Sequence, residues 1–176
     1  MSVLLGAMVA AGFWASRGWE SPGLSGHEFR QTQTALTIQT MQVDGFRLDY
    51  ATPVLGKPWS IPMEFPLYQF LVVKWIDFTG QDIAQGARTV SLLCFLVGLV
   101  ACYRLLRMAR FSMGGSCLAL VLVVFSPVYL FFSRTVMIES LAWASSAWFL
   151  CGVLRFRRAG EWKWLSVVWI AGAIGV

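Results

Sequence analysis

Five apolar runs, at about residues 2–15, 87–103, 113–132, 140–154 and 162–176, alternate with polar segments of very unequal length. Each run approaches the roughly 20 residues that a helix needs to cross a bilayer and predicts a spanning helix. The longest intervening segment covers residues 16–86, and a short one, SRTVMIE, lies at 133–139. A sixth apolar stretch, PLYQFLVVKWIDF at 66–78, carries Lys74 and Asp77 and is about two thirds of a span long. The pattern therefore predicts an all-α fold, a polytopic transmembrane helical bundle whose residues 1–176 form one module.

Charge decides how the short stretch is read. The clusters RLLRMAR (Arg104, Arg107, Arg110) and RFRR (Arg155, Arg157, Arg158) are two spans apart, so they share one side, which the positive-inside bias makes cytoplasmic. A crossing at 66–78 would put both outside when the N-terminus is cytoplasmic. The stretch is therefore read as an interfacial, juxtamembrane helix, residues 16–86 become one external loop, and residues 133–139 a second loop facing the same compartment. The run at 2–15 has the length of a signal-peptide core but neither a preceding basic residue nor a clear cleavage site, and is read as a retained first span.

Composition agrees. At 57% hydrophobic, 13% charged and a mean hydropathy of +0.65, the chain has too little polar surface for a water-soluble globule. The net charge of +5 is concentrated beside apolar segments, which points to anionic membrane lipid rather than nucleic acid. Cys94, Cys102, Cys117 and Cys151 all fall in apolar stretches and read as small buried hydrophobes. The last run continues to Val176, and the expectation is that the sequence is the N-terminal part of a longer protein, inactive by itself.

Candidate chemistry gathers in the first loop. Residues 28–43 lack Pro and Gly and predict a helix whose apolar side is Phe29, Leu36 and Met41. Arg30, Gln33 and Thr37 share a face by their three- and four-residue spacing, with Glu28 at the positive end of the dipole, an arrangement suited to an anionic ligand. Gly45 ends the helix, and Pro62 and Pro66 bracket Glu64.

Taken in order, His27-Glu28-Phe29-Arg30, Gly56-Lys57-Pro58, Glu64-Phe65-Pro66-Leu67-Tyr68-Gln69, Ala87-Arg88, the RLLRMAR loop, Ser126-Pro127 and Arg134 with Glu139 resemble the GT-C superfamily of polyprenyl-phosphate-dependent glycosyltransferases. Within it the chain resembles the protein O-mannosyltransferase and aminoarabinose transferase family, glycosyltransferase family 39. The resemblance covers nearly the whole chain. It implies a membrane enzyme whose active site faces the external or periplasmic side of the inner membrane. The donor would be a polyprenyl-phosphate sugar and the acceptor a lipid, glycan or protein. It also implies Glu28 or His27 as the catalytic base, and Arg30, Glu64, Tyr68, Arg88, Arg134 and Glu139 as substrate-binding residues, to which the shared helix face of Arg30 and Thr37 adds Gln33. The chain departs from the family where His27 stands for an aspartate and Phe65 for a lysine that would meet the donor phosphate; Arg30, Arg88 or Arg134 would replace that cation.

Such a site needs a base for the acceptor and positive charge for the departing phosphate. A divalent metal held by His27 and Glu64 is an alternative source of that charge. Each residue also has a structural reading: Glu28 as a helix N-terminal charge, Glu64 as a cap or ion-pair partner, Arg134 with Glu139 as an interfacial ion pair, Arg88 as a headgroup contact. A non-catalytic transporter or assembly subunit binding an anionic glycolipid is the other function class. The nearly charge-free spans favour surface chemistry over transport.

Overall fold

The computed structural model describes residues 5–6, 9–10, 12–13, 26–50 and 65–175. These residues are helical throughout apart from turns, with no strand among them. From residue 26 onward the described residues form seven helices: α1 Glu28–Asp44, α2 Leu67–Thr79, α3 Ile83–Met108, α4 Met113–Val124, α5 Pro127–Phe132, α6 Glu139–Ala159 and α7 Trp162–Ile174. The first apolar run and the Gly56-Lys57-Pro58 and Pro62 turns lie wholly or mostly outside the described residues.

α1 and α2 fall on the two helices predicted at 28–43 and 66–78. Gly45 closes α1 at φ 80°, donating its N–H to Met41 O at 3.0 Å. The face that α1 buries differs from the expected one, because Gln31, Gln33, Thr34 and Thr37 turn inward with Ile38 and Met41. Phe29 is 64% exposed and Val43 81%. Burying polar side chains is tolerable where they are bonded, and the hydroxyls of Thr34 and Thr37 donate to the carbonyls of Arg30 and Gln33 at 3.1 and 3.0 Å. α2 ends at Gly80 with φ 72°, and Asp82 caps α3 by accepting from the Gln85 N–H at 2.8 Å.

α3 is 26 residues long, about 39 Å at 1.5 Å per residue. By length and composition it is the one helix among the described residues that is long and apolar enough to cross a membrane by itself. The run at 113–132 is not one helix. Pro127 has no N–H to give and pushes Ser126 to an extended ψ of 127°, so the chain breaks into α4 of 12 residues and α5 of 6. α6 and α7 form a hairpin through Gly160, at φ 64°.

Two apolar clusters line α3. Ile38, Met41, Tyr68, Val72, Ile76, Ala87 and Val136 join α1 and α2 to its first turns, and Phe95, Leu99, Leu120 and Val124, packed by Tyr129 and Trp143, fill its middle. α3 and α6 run in the same direction: Ser91 Oγ donates to Thr135 O just before α6, and at the far end Arg158 Nη1 donates to Met108 O, both at 2.8 Å. The bundle thus has two poles. Arg104, Arg107, Arg110, Arg155, Arg157 and Arg158 gather at one, while the start of α1 and the 133–138 loop meet at the other.

Candidate functional site at the loop pole

Gln31 makes this site. It is 2% exposed, and its amide reaches both ways: Nε2 donates to Gly26 O at 2.5 Å and Oε1 accepts the Val136 N–H at 3.1 Å. One side chain therefore ties the start of α1 to a loop 105 residues away. Gly26 lies at φ 75°, where a Cβ would stand 2.9 Å from the Phe131 ring, so the close approach of α1 to α5 requires glycine. His27, the N-cap, is also left-handed at φ 53°, and its ring sits 5.8 Å from Phe131 and 6.2 Å from Phe132. Glu28 follows, exposed in the first turn.

The same contact brings Arg30 Nη2 to 3.7 Å from Glu139 Oε1, the first residue of α6. Glu139 thus pairs with Arg30 across the two loops, where the sequence alone suggested Arg134 as its partner. Its second oxygen, Oε2, is buried with no hydrogen-bond partner among the described residues. Arg134 stays exposed in the second loop.

Behind this rim a buried hydrogen-bonded chain fixes the loop. Tyr68 is 1% exposed; its hydroxyl donates to Ala87 O at 3.0 Å and meets Ser91 Oγ at 2.8 Å, and Ser91 in turn reaches Thr135 O. Burial pushes the Tyr68 phenol above its ordinary pKa, an effect the Ser91 hydrogen bond opposes. The residue expected to bind substrate therefore has its hydroxyl committed to positioning the loop. Arg88 and Gln33, at 7% and 8% exposure, are also interior residues, and neither is without a partner. A headgroup contact for Arg88 does not fit that burial.

The structure therefore brings His27, Glu28, Arg30 and Glu139 to one part of the surface, with Arg134 exposed on the 133–138 loop and Tyr68, Arg88 and Gln33 in the interior. Glu64 lies outside the described residues. Among the described residues no group of three or more His, Cys, Asp and Glu side chains is placed to hold a metal ion. The expected pairing of His27 with Glu64 at a metal ion lies outside the described residues with Glu64.

Compared with models of protein families, with curated proteins and with solved structures, the chain has no match. The family resemblance therefore rests on the ordered residues quoted for it.

Proposed function

We propose that the protein is a membrane glycosyltransferase that moves a sugar from a polyprenyl-phosphate donor to a lipid, glycan or protein acceptor on the external side of the membrane. The observation that carries this reading is the docking, at the pole opposite the six arginines, of the start of α1, which bears the exposed Glu28 and Arg30, against the 133–138 loop and Glu139. In this reading α3, the broken pair α4 and α5, α6 and α7 cross the bilayer. The apolar side chains that the bundle leaves outward, such as Val97, Leu122, Leu150 and Ile170, face acyl chains. α2 lies along the interface, its start bordering Ile138 on the loop side of α6 and Ile174 at the end of α7. The arginine pole is cytoplasmic.

Glu28 takes the proton from the acceptor hydroxyl or amine as that group attacks the anomeric carbon. The bond from that carbon to the phosphate oxygen breaks, and the departing polyprenyl phosphate takes the electron pair. Arg134 and Arg30 stabilise its charge at a partly desolvated surface. His27, held against two phenylalanine rings, is the alternative base. A groove of about 370 Å3 between α3, α6 and α7, lined by apolar side chains, has the character an isoprenoid tail requires.

The second reading is a non-catalytic binder of such a lipid. It is favoured by one observation, that Arg30 and Glu139 already engage each other. Sugar release from a panel of polyprenyl-phosphate sugars separates the two, using membranes that carry the full-length protein as wild type, Glu28→Gln or His27→Ala at matched expression. The transferase reading expects Glu28→Gln to lose about 100-fold or more in turnover, the scale of a missing base, with donor binding retained. Loss confined to His27→Ala moves the base to His27. Unchanged release in both variants, or no donor consumed, favours the binder.

A further inference from the structure

Beneath the Arg30 and Glu139 pair lies a pocket of about 100 Å3, walled by Phe95, Tyr129, Phe132, Glu139, Ser140 and Trp143. Three of its rings form one cluster: Phe95 stacks on Trp143 at 5.2 Å, and Tyr129 lies 5.5 Å from Trp143 and 6.3 Å from Phe95. Ser140 has already given its hydroxyl proton to Phe132 O at 2.9 Å. Glu139 Oε2 is buried at this wall, an acceptor with no hydrogen-bond partner among the described residues. The Glu139 side chain as a whole is 34% exposed, yet this oxygen is left without a donor, which is costly, and the four aromatic rings that line the same pocket attract a cation through their electron-rich faces.

We propose that this pocket binds a small organic ammonium group, primary or quaternary, with Glu139 Oε2 as its counter-ion and the rings as its walls. A volume near three waters suits a methylated or singly substituted ammonium head, not a larger polar group. A hydroxyl could satisfy the oxygen too, but the rings add attraction only for positive charge. The charged groups that face the pocket are few. Arg30 on α1 engages the other oxygen of Glu139, Arg134 is exposed on the loop, and His27 touches Phe132 from outside. α3 carries no charge between Arg88 and Arg104, α5 carries none, and α6 has none after Glu139 until Arg155. Arg30 therefore opposes the cation and Glu139 attracts it. The inference goes beyond the transferase reading and does not need it, since it concerns binding alone.

The test is calorimetric titration of the full chain in phosphatidylglycerol nanodiscs with choline and, beside it, 3,3-dimethylbutanol, a neutral molecule of the same shape. The proposal expects choline to bind at least tenfold tighter than the alcohol, and Glu139→Gln to abolish that preference. Tyr129→Leu should weaken choline several-fold. Arg30→Gln should strengthen it, a direction that a misfolded variant cannot imitate. Equal binding of choline and the alcohol, or unchanged choline binding in Glu139→Gln, overturns the proposal. Repeating the titration in phosphatidylcholine nanodiscs identifies the source: suppressed choline binding assigns the site to a lipid headgroup, and unaltered binding to a free amine. Turnover enters none of these readings, so their failure leaves the transferase reading untouched.

Discussion

Tyr68 shows how a single side chain serves this pole from below. Its hydroxyl joins Ala87 O to Ser91, and through Ser91 the 133–138 loop, so Tyr68→Phe should cost about 1 to 2 kcal/mol, the scale of a lost buried hydrogen bond. Burial raises the folded-state pKa of this phenol above its unfolded value. The contribution of Tyr68 to stability is therefore complete below the unfolded pKa of about 10 and declines as pH rises above it, because only the unfolded chain releases the proton. Thermal melts of wild type and Tyr68→Phe between pH 8 and 11 check both points; the variant should start less stable and fall less steeply. Gln31 has a comparable place in the fold with no comparable signal in the sequence. A glutamine in a polar helix reads as solvated, and nothing local announces a partner 105 residues away.

Among the elements, α3 and α6 approach closely at Gly98, where a Cβ would stand 2.1 Å from the Trp143 ring. Gly98→Val should displace Trp143 from its stack on Phe95 and cost about 1 to 3 kcal/mol, the range of an overpacked core. Denaturation in detergent, read with near-ultraviolet circular dichroism of the tryptophans, measures that loss. The helices themselves were legible: α1 and α2 agree with the expected ranges within a residue or two, because Gly45, Pro66 and Gly80 mark their ends. The break at Ser126 was written in Pro127 but hidden by an apolar run long enough for a full span. The buried side of α1 was misleading for a different reason. Periodicity assumes that apolar residues turn inward, and here tertiary hydrogen bonds hold glutamine and threonine inside while Phe29 and Val43 remain exposed. The site was legible in its members, His27, Glu28, Arg30 and Glu139, and illegible in its pairing, since the contact of Arg30 with Glu139 depends on how two distant loops dock.

At the scale of the whole molecule, the two arginine clusters lie at the pole opposite the loop site, and the proposed function gives each pole a compartment. Arg104 lies over the Trp148 ring at 5.1 Å and Arg155 over Trp164 at 5.6 Å, contacts that suit a cationic and aromatic belt at a membrane surface. Cysteine introduced at Arg134 or Arg157, in a background free of the four native thiols, should therefore differ in access. An impermeant maleimide should label position 134 on intact cells and position 157 only after permeabilisation. The central claim, that sugar transfer takes place at the loop pole and depends on Glu28, is tested most directly by turnover of a polyprenyl-phosphate sugar in sealed vesicles of defined sidedness, with a membrane-impermeant acceptor supplied outside. Wild type should turn over in vesicles that expose the loop pole, and Glu28→Gln in the same orientation should be slower by about 100-fold or more. Turnover that is equal in the variant, or that appears only when the arginine pole faces the acceptor, would contradict it.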